Sequence, residues 1–498
     1  MTCSALVKSP AMGIIILQVT RKNENLIKAN KQIVVQKICC GKRMLYSMFA
    51  RYIMFPALEI YRRRDTLRHF KELEKTQWLS AEEIKKIQWK KLKNLLEYAY
   101  AYVPYYHQVF KSLKMTPKDI HSPRAFEKLP LLSKENIRDN MSRMMSIVYK
   151  KRNLIPNSTG GSTGVTLNFF NDGKHSGCVS AIALRCKYWA GLEIGDKNAF
   201  LWGSPVDISL QDNLKNKIYN KLFRTLFLSS YNLSEENMLI YARKLIRHKP
   251  KVIIGYASPL YHFAKFLKKN GIKGINPKSI ISSAEVLYDY QRESIESVFQ
   301  CRVFNAYGCR EFTTIAQECS EHTGMHINAE HVYVECLKGD GEPAAPRERG
   351  ELVITDLDNY GMPFIRYRIG DVGVLSDRKS NCGRGLPILE KIEGRAFDII
   401  VGTNNRYFDG HFFSILLRTA VDGIKQFQVV QESKNEIDIK IVVDEAFKKG
   451  RIDILANKIR EFCGNDMQVN FKIVDEILPT KSGKFRFVIS KVPNSFAD

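Results

Sequence analysis

The segment NSTGGSTGVTLNFF, which starts at Asn157, is the richest run of chemistry-bearing residues in the chain. Ser158, Thr159, Ser162 and Thr163 interleave with Gly160, Gly161 and Gly164. Glycines let a backbone come close to a ligand and turn its N–H groups inward, and hydroxyls add donors for phosphate oxygens. A run of this composition also suits a flexible linker. Val165, Leu167 and Phe169 follow at once in the alternation of a strand, which favours a phosphate cradle. It is not a Walker loop, because Val165 and Thr166 stand where that motif needs Lys and Ser or Thr. Nor is it a dinucleotide fingerprint, since G-x-G-x-x-G is absent.

Further motifs follow in order: SSAE at Ser282–Glu285, NAYGCRE at Asn305–Glu311, RGELVITDL, MPFIRYRIGDVG with Asp371, EGRAFD with Arg395 and LPTKSGKFRF with Lys484. Taken singly, each has an ordinary reading. Tyr307 would be a core tyrosine, Glu311 a charge at a helix start and Asp371 a turn former beside glycine. Arg395 would be half of a surface ion pair and Lys484 a solvated lysine. Their order and spacing raise all of them.

Together these motifs resemble the adenylate-forming superfamily of acyl-CoA synthetases and adenylation domains. The likeness is greatest to the phenylacetate–CoA ligase branch, with its CapK-type capsular polysaccharide proteins, and covers about residues 44–498. It implies a two-step chemistry. A carboxylate attacks the α-phosphate of ATP, pyrophosphate leaves and an acyl-adenylate forms; a nucleophile, commonly the thiol of coenzyme A, then takes the acyl group. Charge builds on the phosphoryl oxygens as two anions approach, and positioned N–H groups, Mg²⁺ and a lysine lower that barrier.

On this resemblance Ser158 and the Thr159–Gly164 loop cradle the phosphates of ATP. Ser283, Ala284 and Glu285 contact adenine, and Tyr307, within the run from Asn305 to Gly308, lies against its ring. Glu311 holds Mg²⁺, Asp371 accepts from the ribose hydroxyls, and Arg395 sits near ribose or phosphate. Lys484 reaches the reacting carboxylate and the α-phosphate. The chain departs from the pattern in places. No lysine follows Gly164, Arg310 stands where many relatives have threonine, and Phe397, with Asp398 next, replaces a polar hinge residue. Arg310 offers phosphate another donor or alters the geometry. Phe397 bears on the second half-reaction and its acceptor.

Cys319, His322, His326 and Cys382 form a loose metal-ligand set, and zinc wants about four such groups. Relatives in this branch can carry a structural zinc here, with Cys-x-Cys before Gly-Arg. In this chain the segment reads Ser380-Asn381-Cys382, one cysteine short, and His322 is the candidate substitute. Trp202 and Tyr256 are candidates for the acid-binding pocket, or ordinary core aromatics.

These residues need a scaffold. Ser80 and Glu83 form a capping box, and Ile84, Ile87, Leu92, Leu95, Leu96 and Ala99 share one helical face. Lys85, Lys86, Lys90, Lys91 and Lys93 take the other and are expected in solvent. Strand-like and helical runs alternate from about 150 to 400, with IGYASP and SSAE at strand ends. The last hundred or so residues read β-β-α-β: QFQVVQ, then Ile437, Ile439 and Ile441, a helix with Ile452, Leu455, Ile459 and Phe462, and a strand over Met467–Ile473. The fold class is therefore mixed α/β and α+β. Residues 44–394 form a large domain of sheets flanked by helices, 395–498 a small mobile lid, and 1–43 a disordered extension.

The 498 residues are 44% hydrophobic and 26% charged, which excludes a disordered or collagen-like chain. Eleven scattered cysteines read as reduced thiols in a cytoplasmic protein. No apolar run approaches the ~20 residues of a membrane span, and the run from Met12 lacks the flanks of a signal peptide. A net charge of +25 favours polyanionic partners. The lysines are spread along the chain instead of clustering with aromatics, so nucleic acid is not expected. The partners foreseen are ATP, Mg²⁺, a carboxylic acid and an acceptor, either coenzyme A or an amine or hydroxyl on a sugar or amino acid. The rival readings are a non-catalytic adenylate binder and a basic protein that binds nucleic acid or makes peripheral contact with a membrane surface.

Overall fold

The computed structural model describes residues 45–159, 167–202, 214–230, 233–395, 400–404, 423–478 and 485–492, together with Tyr407, Phe408, Phe413, Leu416 and Leu417. They divide into two compact units, with the boundary between Leu58 and Glu59. In the first, a π-helical turn at Ala50–Met54 leads into a helix starting at Phe55. The expected extension at 1–43 lies outside the described residues.

In the second unit the capping box forms as expected. Ser80 Oγ accepts from the Glu83 amide (3.3 Å), and Glu83 Oε2 accepts from the Ser80 amide (2.9 Å), opening α1 (Ala81–Tyr102). Ile84, Leu92, Leu95, Leu96 and Ala99 are buried, and Lys85, Lys86, Lys90 and Lys93 are exposed. Lys91 departs from the pattern. Its ammonium pairs with Asp358 at 2.8 Å and donates to the Glu330 carbonyl at 2.6 Å. Lying beside the apolar stripe, Lys91 runs its aliphatic stem over the core while its head meets a buried carboxylate.

Strands β1 (Ile155–Ser158) and β2 (Asn168–Asn171) pair antiparallel, and α2 (Gly173–Trp189) follows. Next come β3 (Asn198–Trp202), β4 (Thr225–Ser229), α3 (Glu235–His248), β5 (Val252–Tyr256), α4 (Ala257–Lys269), β6 (Ser279–Ser283), α5 (Asp289–Phe299) and β7 (Arg302–Cys309). The strands β3 to β7 are parallel. Antiparallel strands then extend the sheet: β8 (Thr313–Glu318), β9 (Met325–Ile327), β10 (Val332–Leu337), β11 (Arg349–Asp356), β12 (Tyr367–Ser376) and β13 (Ile388–Arg395). The resulting eleven-stranded order is β10-β11-β12-β13-β9-β8-β7-β6-β5-β3-β4.

The near-continuous apolar runs of β5 and β6 are those of strands covered on both faces. Ile253 of β5 packs with Leu260, Phe263 and Phe299 on one side, while Val252 and Ile254 meet Ile281 and Phe304 on the other. A larger core joins α1 to the antiparallel half through Leu92, Leu96, Phe312, Leu352, Ile354 and Tyr367.

The C-terminal part follows the expected β-β-α-β order: β14 (Ile424–Ser433), β15 (Glu436–Val443), α6 (Ile452–Cys463) and β16 (Gln468–Ile473). A last short strand, β17 (Val488–Ser490), adds parallel to β14, giving the order β16-β15-β14-β17. Ile437, Ile439, Ile441, Leu455 and Ile459 build a core of its own. The mixed fold class is thus as expected. Among the described residues no helix is long and apolar enough to cross a membrane.

Candidate active site

Strand register lines the motifs up at the C-terminal edge of the parallel strands. Leu201, Gly255, Ser282 and Asn305 form one row, and Tyr256, Ser283 and Ala306 the next. Open α/β sheets bind ligands beyond this edge. The Trp202 and Tyr256 rings meet there edge to face, with centroids 4.3 Å apart.

Just past β6, Ala284 has φ of +69°, a conformation costing a non-glycine residue on the order of 1–3 kcal/mol. Glu285 comes next. Its Oε2 accepts from the Ser258 amide at 2.8 Å in the first turn of α4, where a carboxylate meets orphan donors and the positive end of the helix dipole. Its Oε1 accepts from the Phe485 amide at 3.2 Å. Nearby, the Phe487 ring packs edge-on against Tyr288, with centroids 5.5 Å apart. The C-terminal segment therefore docks beside the SSAE motif.

The NAYGCRE motif ends β7 and turns toward β8. A Cβ at Gly308 would sit 1.9 Å from the Thr313 carbonyl oxygen, so this close approach requires glycine. The register shifts at this point, between Tyr307 and Gly308, and Thr313 takes φ of +61°. The turn buries Glu311, 7% exposed, whose Oε1 accepts from the Tyr367 hydroxyl at 3.0 Å. Burial, and then the Glu311 carboxylate, push the neighbouring Cys309 thiol well above its usual pKa. Tyr307 packs in the main core and donates to Asp371 Oδ2 at 2.8 Å. Asp371 lies on β12 opposite Arg395 of β13. Asn305 offers its amide to Glu318 Oε2 at 2.8 Å, and Arg310 is exposed.

The Ser/Thr/Gly segment starts from β1 at Asn157 and Ser158. Thr159 and Leu167 clasp it: the Thr159 amide donates to the Leu167 carbonyl and the Leu167 amide to Thr159 Oγ1, each at 2.9 Å. Asn157 Nδ2 donates to the Arg310 carbonyl at 3.4 Å, joining this segment to NAYGCRE. Gly160, Gly161, Ser162, Thr163 and Gly164 lie outside the described residues, as do Phe397, Asp398 and Lys484. Ser258, Tyr367 and Phe485 were not singled out in the sequence. Tyr367 stands inside the RYRIGD motif, and Phe485 directly follows Lys484.

Cys319, His326 and Cys382 do come together, with ligand atoms within 4.8 Å of one another and Cys382 Sγ 3.3 Å from His326 Nε2. His322 does not join them; its Nδ1 lies 3.1 Å from Glu318 Oε2. Burial and the Arg384 charge bring the His326 pKa down to about 4. Among the described residues the cluster has no fourth Cys, His, Asp or Glu, one short of a closed tetrahedral zinc site.

Residues 400–491 match the family described as CapK C-terminal domain. The chain is 27% identical over 398 residues to Protein CapK of Staphylococcus aureus, covering 78% of this chain and 85% of that protein. It is 24% identical over 384 residues to a phenylacetate-coenzyme A ligase of Thermus thermophilus, covering 74% and 83%. Among solved structures, 2-hydroxyisobutyryl-CoA ligase in its postadenylation state with R3-HIB-AMP superposes with a TM-score of 0.67 at 17% identity, covering 84% of this chain and 91% of that one. The same ligase with 2-HIB-AMP and CoA gives 0.56 at 17% identity, covering 83% and 91%. The fold is that of the AMP-forming acyl-CoA ligases. In sequence the chain is similar to CapK and to phenylacetate–CoA ligases.

Proposed function

We propose that this protein activates a carboxylic acid as its acyl-adenylate, releases pyrophosphate and passes the acyl group to coenzyme A. The observation that carries this reading is the docking of Phe485 on Glu285 at the sheet edge that also bears Tyr256, Ser283 and Asn305. The solved ligase of the same fold is described with an acyl-adenylate and with CoA.

In this reading Asp371 and Tyr307 bind the nucleoside of ATP, and Ser283, Ala284 and Glu285 line the adenine side. Ser158 and the Thr159–Gly164 loop cradle phosphates with Arg310, and Arg395 approaches ribose or phosphate. Lys484 stabilises charge on the carboxylate and α-phosphate during transfer. Glu311 suits a magnesium ion, a hard cation that needs only one or two carboxylates beside phosphate and water oxygens; when bound, it neutralises phosphate charge. The three-ligand thiol–imidazole cluster is incomplete, so the reading includes no structural zinc. Residues 44–394 act as the large domain and 395–498 as its lid, in the cytoplasm where ATP and coenzyme A are found. A second form, favoured by the likeness to CapK, has a sugar hydroxyl or amine as acceptor in polysaccharide assembly.

The test is pyrophosphate release from ATP and Mg²⁺ with a panel of aromatic, fatty, hydroxy and amino acids, with and without coenzyme A. Release that depends on one acid and is accelerated by coenzyme A supports the first form. Acid-dependent release indifferent to coenzyme A turns attention to the second. A chain that fails to bind ATP sinks both.

A further inference from the structure

Ten of the 22 large hydrophobic side chains exposed among the described residues fall in two short helical segments, 45–61 and Leu214–Leu222. In the first unit, residues 45–54 are helical, and Leu45, Met48, Phe49, Tyr52 and Ile53 recur there at i, i+3, i+4, i+7 and i+8. Each of the five is 48–65% exposed, whereas Ala50 is buried. A surface helix ordinarily turns such a stripe to the core; this one presents it to the outside.

The second unit has a face of the same make-up. Ile60 and Tyr61, 79% and 73% exposed, close the helix that ends at Arg62. The Arg62 guanidinium lies over the Tyr219 ring, 5.0 Å from its centroid, which joins this turn to the helix Leu214–Leu222. On that helix Leu214, Ile218 and Leu222 share one side at i, i+4 and i+8 and are 44–71% exposed.

Both segments are basic. Residues 45–64 contain Arg51, Arg62, Arg63 and Arg64, and their one carboxylate, Glu59, is 5% exposed. Lys42 and Arg43 come just before them in sequence. Lys215, Lys217 and Lys221 punctuate Leu214–Leu222, which has no acidic residue, and Lys217 and Lys221 are exposed.

We propose that these two apolar, basic faces bind the surface of an anionic lipid bilayer. The aliphatic and aromatic side chains enter the acyl boundary, Tyr52 and Tyr61 suit its polar edge, and the arginines and lysines meet the head groups. With Arg51 in its middle and three arginines at its end, the first segment lies in the interface instead of spanning it. Two other occupants fit less well. A second copy docked face to face would set these cations against themselves, with no exposed carboxylate in either segment to pair them. Nucleic acid would meet the cations but has no place for Ile53, Ile60, Leu214 and Ile218. The net charge of +25 would by itself draw the chain to anionic lipid. Dependence on the apolar side chains is what distinguishes the two faces from that general attraction.

The experiment mixes the full chain with vesicles of phosphatidylcholine alone, or with about a third phosphatidylglycerol, and measures bound protein by flotation. Binding is expected on the mixed vesicles, weakening with added salt and at least about tenfold weaker on phosphatidylcholine alone. Phe49→Ser with Ile53→Ser, and separately Ile218→Ser with Leu222→Ser, leave the charge unchanged. Each pair is expected to weaken binding about tenfold, and all four together about a hundredfold. The four side chains are exposed, so helical content by circular dichroism should match that of the parent. A parent chain that stays in solution beside the mixed vesicles overturns the proposal. So does a four-serine chain that binds them as tightly as the parent, which would leave charge as the sole cause. If the parent sediments as a dimer that the four substitutions dissolve, and neither chain binds vesicles, the faces belong to a second copy and the proposal fails.

Discussion

Glu285 and Phe485 stand 200 positions apart in sequence, and one carboxylate oxygen joins them at 3.2 Å while its twin holds the first turn of α4. A bond to a charged acceptor contributes about 1.5–3 kcal/mol. In Glu285→Ala the Phe485 amide should exchange with deuterium at least roughly tenfold faster. Glu285→Gln, which keeps one acceptor oxygen, should fall between. Unchanged exchange in Glu285→Ala would show that the docking has another cause.

Under the proposed function, Lys484→Ala should lower acid-dependent pyrophosphate release on the order of 10²–10³-fold, the usual loss when a transition-state donor is removed. ATP affinity should fall far less. Glu311→Ala should lower release comparably and raise the magnesium concentration needed. Equal losses of ATP binding and of turnover in Lys484→Ala would place the lysine in binding, not chemistry.

Tyr307→Phe keeps the ring in the core and removes the hydroxyl that makes the 2.8 Å bond to Asp371. Stability should drop by about 1–2 kcal/mol, read as a lower midpoint in urea. ATP should bind roughly tenfold more weakly if the bond orients Asp371 for the nucleoside, since tenfold is about 1.4 kcal/mol. A lower midpoint with unchanged ATP affinity would leave Tyr307 as a core residue alone.

Gly308→Ala drives a Cβ to 1.9 Å from the Thr313 carbonyl oxygen, so the β7–β8 connection must shift. A cost of about 3 kcal/mol is expected. Gly173→Ala is the contrast. A Cβ there meets nothing within 4 Å in the first turn of α2, and the gain should be about 0.5–1 kcal/mol. Urea melts of the two variants should move in opposite directions.

Glu318 supplies a pH dependence. Burial alone would raise its pKa, but the hydrogen bond with His322 and the Arg292 charge outweigh burial and hold it below the usual carboxylate range. Its contribution is complete above the unfolded value of about 4.3 and is lost as pH falls through the depressed folded value. In Arg292→Gln, which removes the 2.7 Å partner, stability at neutral pH should fall and acid unfolding should begin at higher pH. An acid limb that coincides with that of the parent would sink this assignment.

What was legible in the sequence was local or ordered along it. The Ser80–Glu83 box needs two residues three apart, and the C-terminal β-β-α-β pattern shows in the spacing of Ile437, Ile439, Ile441 and Leu455. The strand ends at Tyr256 and Ser283 stood out because apolar runs stop there. Contacts between distant segments left no such trace. Lys91 falls among the helix's other lysines by period, and only the fold brings Asp358 to it. The contact between His175 and Asp356 was invisible for the same reason: each comes from a different element. Of the candidate site, the motifs and their order were readable; the ties of Glu285, Tyr307 and Glu311 to Phe485, Asp371 and Tyr367 were not.

The clasp between Thr159 and Leu167 has an evolutionary side. It closes residues 160–166 off at the neck with two backbone-anchored bonds, and Leu167 and Phe169 lock the exit into the core. Changes of sequence or length inside that segment need not propagate into the sheet. Under the proposed function, ligand preference can therefore change between Thr159 and Leu167 without a new fold.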